Sequence, residues 1–175
     1  MSNVLIGIIG VILFIGLALA GALLLGDDFK SANNDTKAAS IVQGLVQTAS
    51  AVSMSNIKTG APRTAETLTT STSLIPRFLK AAPVNPITDT VNMTLVDAAG
   101  NTSGSGPATG IVTLLGAATN SEARAVCDSI QRQSGQIAPT DNFQTTNRTL
   151  LPSSWLTNYG CFQHATAGFY AYHKI

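Results

Sequence analysis

The chain has 175 residues, a net charge of +1 and only 11% charged side chains, so it holds about one domain and carries neither the basic balance of a nucleic-acid binder nor an acidic tail. Two cysteines in spacing that fits no CxxC pair exclude a zinc site, and no GxSxG, HExxH or phosphate-binding loop occurs. The predicted class is α+β: a long N-terminal helix packed on a small antiparallel sheet, with a disulfide-bounded C-terminal region.

Ser2 to Gly26 contains no charged side chain before Asp27. A helix of this length reaches across the roughly 30 Å core of a bilayer. Three readings compete. A cleaved secretory signal needs a positive start and a shorter apolar core, which this stretch lacks. A plain single-pass anchor needs only apolarity. A helix that lives first in lipid and then in a protein bundle also uses small residues, which let backbones approach. Gly7, Gly10, Gly16, Gly21 and Gly26, with Ala18, Ala20 and Ala22, supply them. On the third reading Val4, Leu5, Ile8, Ile9, Ile12, Leu13, Phe14, Leu17, Leu19, Leu23 and Leu24 form the bundle core, and Gly7, Gly10, Gly16 and Gly21 serve packing or local unwinding.

Asp27 and Asp28 mark the exit into water. Phe29, Ala32, Ala38, Ile41, Val42, Leu45, Ala49 and Val52 then recur at helical spacing, so the helix is predicted over roughly 2–53, with an amphipathic second half. Ser31 to Asp35 is a poor helix former and a place for a bend. The organisation expected is therefore 1–26 apolar helix, 27–53 amphipathic helix and 54–175 globular domain.

Ser55-Asn56, Gly60-Ala61-Pro62 and the run Thr67 to Ser73 carry loop chemistry. Leu74 to Ala82 suits one helical turn. Thr88 to Asp97 alternates, with Val91, Met93 and Leu95 on one face, and Gly110 to Leu115 gives a second strand, the two forming an antiparallel hairpin. Asn120 or Ser121 caps a short helix that buries Ala123, Val126, Cys127 and Ile130 and stops at Gly135. Residues 136–157 read as irregular. The end, His164 to Ile175, reads as one last strand, with Phe169 and Ala171 on one face and Tyr170 and Tyr172 on the other.

An apolar start followed by a polar domain implies an extracytoplasmic home, where Cys127 and Cys161 pair as a disulfide. The bridge closes a loop worth roughly 4 kcal/mol in the chain-entropy picture. His164 and His173, with Asp128 or Asp141, form the strongest catalytic candidate, and exposed polar residues explain them better. The sequons at Asn34, Asn92, Asn101 and Asn147 are what chance gives in a Ser/Thr-rich chain. Phe162, Phe169, Tyr170 and Tyr172 suit sheet packing rather than a partner surface. No enzyme activity, cofactor, metal or nucleic-acid partner is expected.

The layout resembles a type IV pilin: an apolar helix running into an amphipathic half, then a loop, an antiparallel sheet and a disulfide region. KAASIVQGLVQTASAV resembles the corresponding half-helix of the class b major pilins, where the first cysteine sits in a short helix, as in AVCDSIQRQSG, and Met can be the mature first residue. The resemblance covers the whole chain in layout and these segments in sequence. It implies processing by a prepilin peptidase and methylation at Met1, and a subunit stored in the inner membrane. Assembly machinery then builds that subunit into an extracellular homopolymer used in adhesion, aggregation, conjugation, motility or DNA uptake. It departs at one place: pilins carry Glu at the fifth mature position, and here Leu5 stands, with no acid before Asp27. The alternatives are a minor pilin or pseudopilin of a secretion system, and a membrane-anchored envelope binding protein.

Overall fold

The computed structural model describes residues 2–68, 74–135, 155, 157–164 and 167–175; within the first helix, side chains are described at 7–21, 26 and from 28 onward. The elements are α1 (Ser2–Thr59), β1 (Met93–Asp97), β2 (Ala108–Gly116), α2 (Ser121–Gln133), β3 (Tyr159–His164) and β4 (Gly168–Lys174). The chain forms two units, Met1–Asn34 and Asp35–Ile175. The class is α+β, as expected.

In the first unit every described side chain from Gly7 to Ala20 is exposed. Among the described residues no helix is long and apolar enough to cross a membrane. The stretch with described side chains, Gly7 to Gly21, falls short of the roughly 20 residues a span takes. Phe29 and Ala32 are also exposed, so the amphipathic stripe starts later than the spacing suggests. The expected bend at Ser31 to Asp35 is helical backbone, and the boundary between the units falls within it.

In the second unit α1 buries Ala38, Ile41, Leu45, Ala49 and Val52, the predicted stripe, with Val42 packed beside it. α1 runs to Thr59, six residues past the expected end. The physical reason lies in its last turn. Ser55 is buried, the Thr59 hydroxyl donates to the Ser55 carbonyl at 2.8 Å, and the stop comes at Gly60 (φ 69°), whose N–H donates to the Asn56 carbonyl at 2.9 Å. A left-handed glycine is the usual helix terminator.

The sheet has strand order β1-β2-β4-β3, all neighbours antiparallel. The predicted β1–β2 hairpin forms, with Met93 opposite Thr113 and Leu95 opposite Ile111. β1 begins at Met93 rather than Thr88. Asn85 to Thr90 is a turn instead: the Asn85 N–H donates to the Thr90 carbonyl at 2.9 Å, and Asp89 has φ 51°. Leu74 to Ala82 holds the expected helical turn, closed by the Phe78 N–H on the Leu74 carbonyl at 2.8 Å. α2 is capped by Asn120, whose side-chain oxygen accepts from the N–H groups of Glu122 and Ala123 at 3.0 Å each.

The predicted last strand forms as β4, Gly168–Lys174, within the expected 164–175, and it has an antiparallel partner, β3, that the sequence reading lacks. Tyr159–His164 pairs with Gly168–Lys174. Gly168 sits at φ 122°, and a Cβ there would lie 2.0 Å from the Gly116 carbonyl oxygen, a conformation and a closeness that only glycine tolerates. Gly160 is likewise covered by the ring of Tyr172, its cross-strand neighbour.

One face of the sheet, with Met93, Leu95, Ile111, Leu115, Phe169 and Ala171, meets α1 and α2 in the main core. The other face carries a second cluster of Val96, Val112, Trp155, Phe162 and Tyr172, with Tyr170 against it. Trp155 stacks on Tyr172 at 4.5 Å between ring centroids. The division of Phe169 and Ala171 from Tyr170 and Tyr172 is as the alternation predicts. α2 is tied to the second-unit part of α1 by the Lys37–Glu122 ion pair, by the Ser129 hydroxyl on the Asp35 carboxylate, and by Arg132 at 3.4 Å from the same carboxylate.

Candidate assembly surface

A helix advances 100° per residue, so five consecutive positions sample its whole circumference. Val11, Ile12, Leu13, Phe14 and Ile15 are all large, apolar and exposed, as are Ile8, Ile9, Leu17 and Leu19. The least exposed of these, Ile9, shows 49% of its surface, and Phe14 and Leu17 show 74%. The apolar surface therefore encircles the helix. Burial of one such side chain is worth about 1.5–3 kcal/mol. Nine of them exceed by far the apolar patch a monomer in water normally leaves uncovered.

The glycines of this unit sharpen the point. A Cβ added at Gly7, Gly10, Gly16, Gly21 or Gly26 meets nothing within 4 Å, and none has a positive φ. Among the described residues nothing calls for glycine at these positions, although each weakens a water-exposed helix by about 1 kcal/mol relative to Ala. Gly44 in the second unit is the contrast. A Cβ there would lie 3.0 Å from Met93 Cε and 3.0 Å from Pro83 Cβ, so its own fold explains it.

Of the predicted core residues, Ile8, Ile9, Ile12, Leu13, Phe14, Leu17 and Leu19 are thus on one exposed apolar sleeve. Met1 and the side chains of Val4, Leu5, Leu23 and Leu24 lie outside the described residues. So do Asp27's side chain, Asp141, Asn147, the run from Thr69 to Ser73 and most of the stretch predicted as irregular.

Cys127 and Cys161 are bonded, with Cα atoms 5.4 Å apart and both side chains buried. The bridge joins α2 to β3, as the compartment argument expects. Of the histidine candidates and their acids, Asp141 lies outside the described residues. His164 lies edge-on to Tyr170 at 6.3 Å on β3, His173 is on β4, and Asp128 is on α2. Burial raises the Asp128 pKa against the lowering effect of Arg124 and Arg132. Among the described residues no group of three or more His, Cys, Asp and Glu side chains is placed to hold a metal. Two sequon amides are engaged within the fold: Asn92 donates to the Leu114 carbonyl at 2.6 Å and Asn101 to the Asp97 carboxylate at 2.9 Å. Phe169, Phe162 and Tyr172 are core residues, and burial raises the Tyr170 pKa.

Comparison with family models, curated proteins and solved structures gives no match. The functional reading therefore rests on the chain's own chemistry. Sequence reasoning passed over Trp155, the centre of the second cluster, and Gln131, a buried amide on α2. Trp155 follows Pro152, Ser153 and Ser154 and belongs to no helical or alternating pattern. Gln131 follows Cys127 by one helical turn, which was the available signal.

Proposed function

We propose that this chain is the structural subunit of a type IV pilin-like filament that polymerises through the apolar half of α1. The carrying observation is the sleeve of exposed apolar side chains between Gly7 and Gly21, interrupted by glycines that face open space. On this reading lipid satisfies the sleeve before assembly, in the inner membrane, and other copies satisfy it afterwards. A covering on one side only, as in a soluble heterodimer, leaves the rest of the circumference in water. A bilayer or a bundle of copies covers all of it.

Burial at roughly 25 cal/mol per Å² makes this sleeve the main cohesive surface of the fibre. The contact is head-to-tail and non-closing, so it propagates into a helical filament. The second unit forms the outer shell. On this reading either Met1 is not the processed terminus or assembly proceeds without the pairing that an acid at the fifth position makes in pilins.

The test is electron microscopy of filaments sheared from cells, with mass spectrometry of the N-terminal peptide. Thin filaments of this chain, methylated at residue 1, support the reading. Short or tip-limited incorporation supports a minor pilin or pseudopilin instead. A cell-bound monomer with an unprocessed terminus overturns it and leaves the membrane-anchored envelope protein.

A further inference from the structure

The two edges of the sheet are closed in different ways. Backbone closes the β1 edge: the Leu68 N–H donates to the Met93 carbonyl at 3.0 Å, the Leu95 N–H donates to the Glu66 carbonyl at 2.8 Å, and Thr67 pairs with Thr94. At the β3 edge no strand pairs on the outer side among the described residues. The Lys174 N–H donates to the Asn158 carbonyl at 2.7 Å, which fixes the alternation of the ladder. Gly160, Phe162 and His164 then turn their backbone polar groups to β4, and Tyr159, Cys161 and Gln163 turn theirs outward.

Side chains meet two of those outward carbonyls. The Thr157 hydroxyl donates to Tyr159, and Gln131 Nε2 donates to Cys161 at 2.9 Å. Gln131 is 93% buried by its 7% exposure, and its Oε1 has no hydrogen-bond partner among the described residues. A buried amide with one unsatisfied end is costly, so its presence is explained by the single bond it makes. The residue it reaches is also the disulfide partner of Cys127, four positions earlier on the same helix face. One face of α2 thus holds Cys161 at two atoms, its sulfur and its carbonyl oxygen.

We propose that α2 guards the edge of the sheet on which no described strand pairs: the Cys127–Cys161 bridge and Gln131 together keep the outer side of β3 closed to pairing with β3 of a second copy. An exposed edge strand is a template for another chain. A second copy running antiparallel and centred on Cys161 sets Tyr159 of one chain against Gln163 of the other. Gln131 occupies the central carbonyl of that ladder. This inference is independent of the filament reading, because it concerns the second unit alone.

The test uses the full-length chain in detergent micelles under non-reducing conditions, with a photo-crosslinking benzoylphenylalanine placed at 163. Q131L keeps the volume and removes the donor. The expected result is an increase of about tenfold in dimers cross-linked from 163 to the Tyr159 region, the change one lost buried hydrogen bond supports. Far-UV circular dichroism and recovery of the Cys127–Cys161 peptide confirm the fold. If Q131L loses helix, Q131N, whose shorter amide falls short of the carbonyl, takes its place. Equal yields with and without Gln131, a strong cross-link already in the parent chain, or cross-links elsewhere on the second unit overturn the proposal.

Discussion

Replacing Gly16 and Gly21 by Leu separates a surface made for other copies from a simple anchor. Within the protomer the change is benign. Both positions face open space, with nothing within 4 Å of an added Cβ. Neither needs a positive φ, and Leu gains about 1 kcal/mol per site over Gly in helix propensity. The second unit, which begins at Asp35, keeps its stability. In a packed bundle the same two side chains enter spaces sized for glycine, and overpacking costs typically 1–3 kcal/mol per site. Each copy repeats that cost. The double variant is therefore expected to reach the membrane at the parental level, to unfold at the parental temperature by near-UV circular dichroism, and to yield at least about tenfold fewer sheared filaments, since about 1.4 kcal/mol is a factor of ten. Parental filament yield would refute the assignment of these glycines to packing. A lowered unfolding temperature would refute the claim that the protomer does not use them.

The remaining predictions concern the second unit. Gly168→Ala places a methyl group 2.0 Å from the Gly116 carbonyl oxygen at φ 122°, and should cost more than about 3 kcal/mol in chemical denaturation, or prevent folding. Replacing Cys127 and Cys161 together by Ser should cost about 4 kcal/mol in the same assay, a loss that reducing agent reproduces in the parent chain. Asp97 and Asp128 should respond to pH in opposite senses. The Asn101 side chain and backbone N–H groups hold the folded Asp97 pKa below its ordinary value of 3.8, so its stabilisation is present above that value and is lost as the pH falls through the lower folded value. Burial raises the folded Asp128 pKa, so Asp128 is destabilising at neutral pH and is relieved as the pH falls below its folded value. Asp97→Asn should therefore lower, and Asp128→Asn raise, the unfolding midpoint at pH 7, with both differences shrinking toward pH 3. Equal signs for the two variants would refute the assignment of causes.

What was legible in the sequence is what periodicity and caps encode. The stripe Ala38, Ile41, Leu45, Ala49, Val52 is buried because it sits at helical spacing on a solvated helix. Asn120 caps α2 because its side chain matches two orphan N–H groups. The β1–β2 pair follows from alternation, and the disulfide from compartment. β3 was not legible. Its sequence, YGCFQH, contains a glycine that is there for the ring of Tyr172, a residue twelve positions away. Glycine at 168 answers to the approach of Gly116, which no local pattern reveals. The end of α1 moved from 53 to Thr59 because Ser55 finds cover in the tertiary fold, and a polar residue gives no sign of that burial.

The two kinds of glycine carry the larger lesson. Gly44, Gly160 and Gly168 each stand where a side chain would strike a neighbour in the same chain. Their cause is internal, and substitution tests the fold. Gly7, Gly10, Gly16, Gly21 and Gly26 meet nothing, sit in regular helix, and alternate with exposed Ile, Leu and Phe side chains. A solitary membrane span is satisfied by apolarity and tolerates glycine without needing it. A helix that other helices approach closely gains contact at each one. On the proposed filament reading the cost falls on the protomer and the gain falls outside it, and the glycines from Gly7 to Gly26 then specify a surface for other copies.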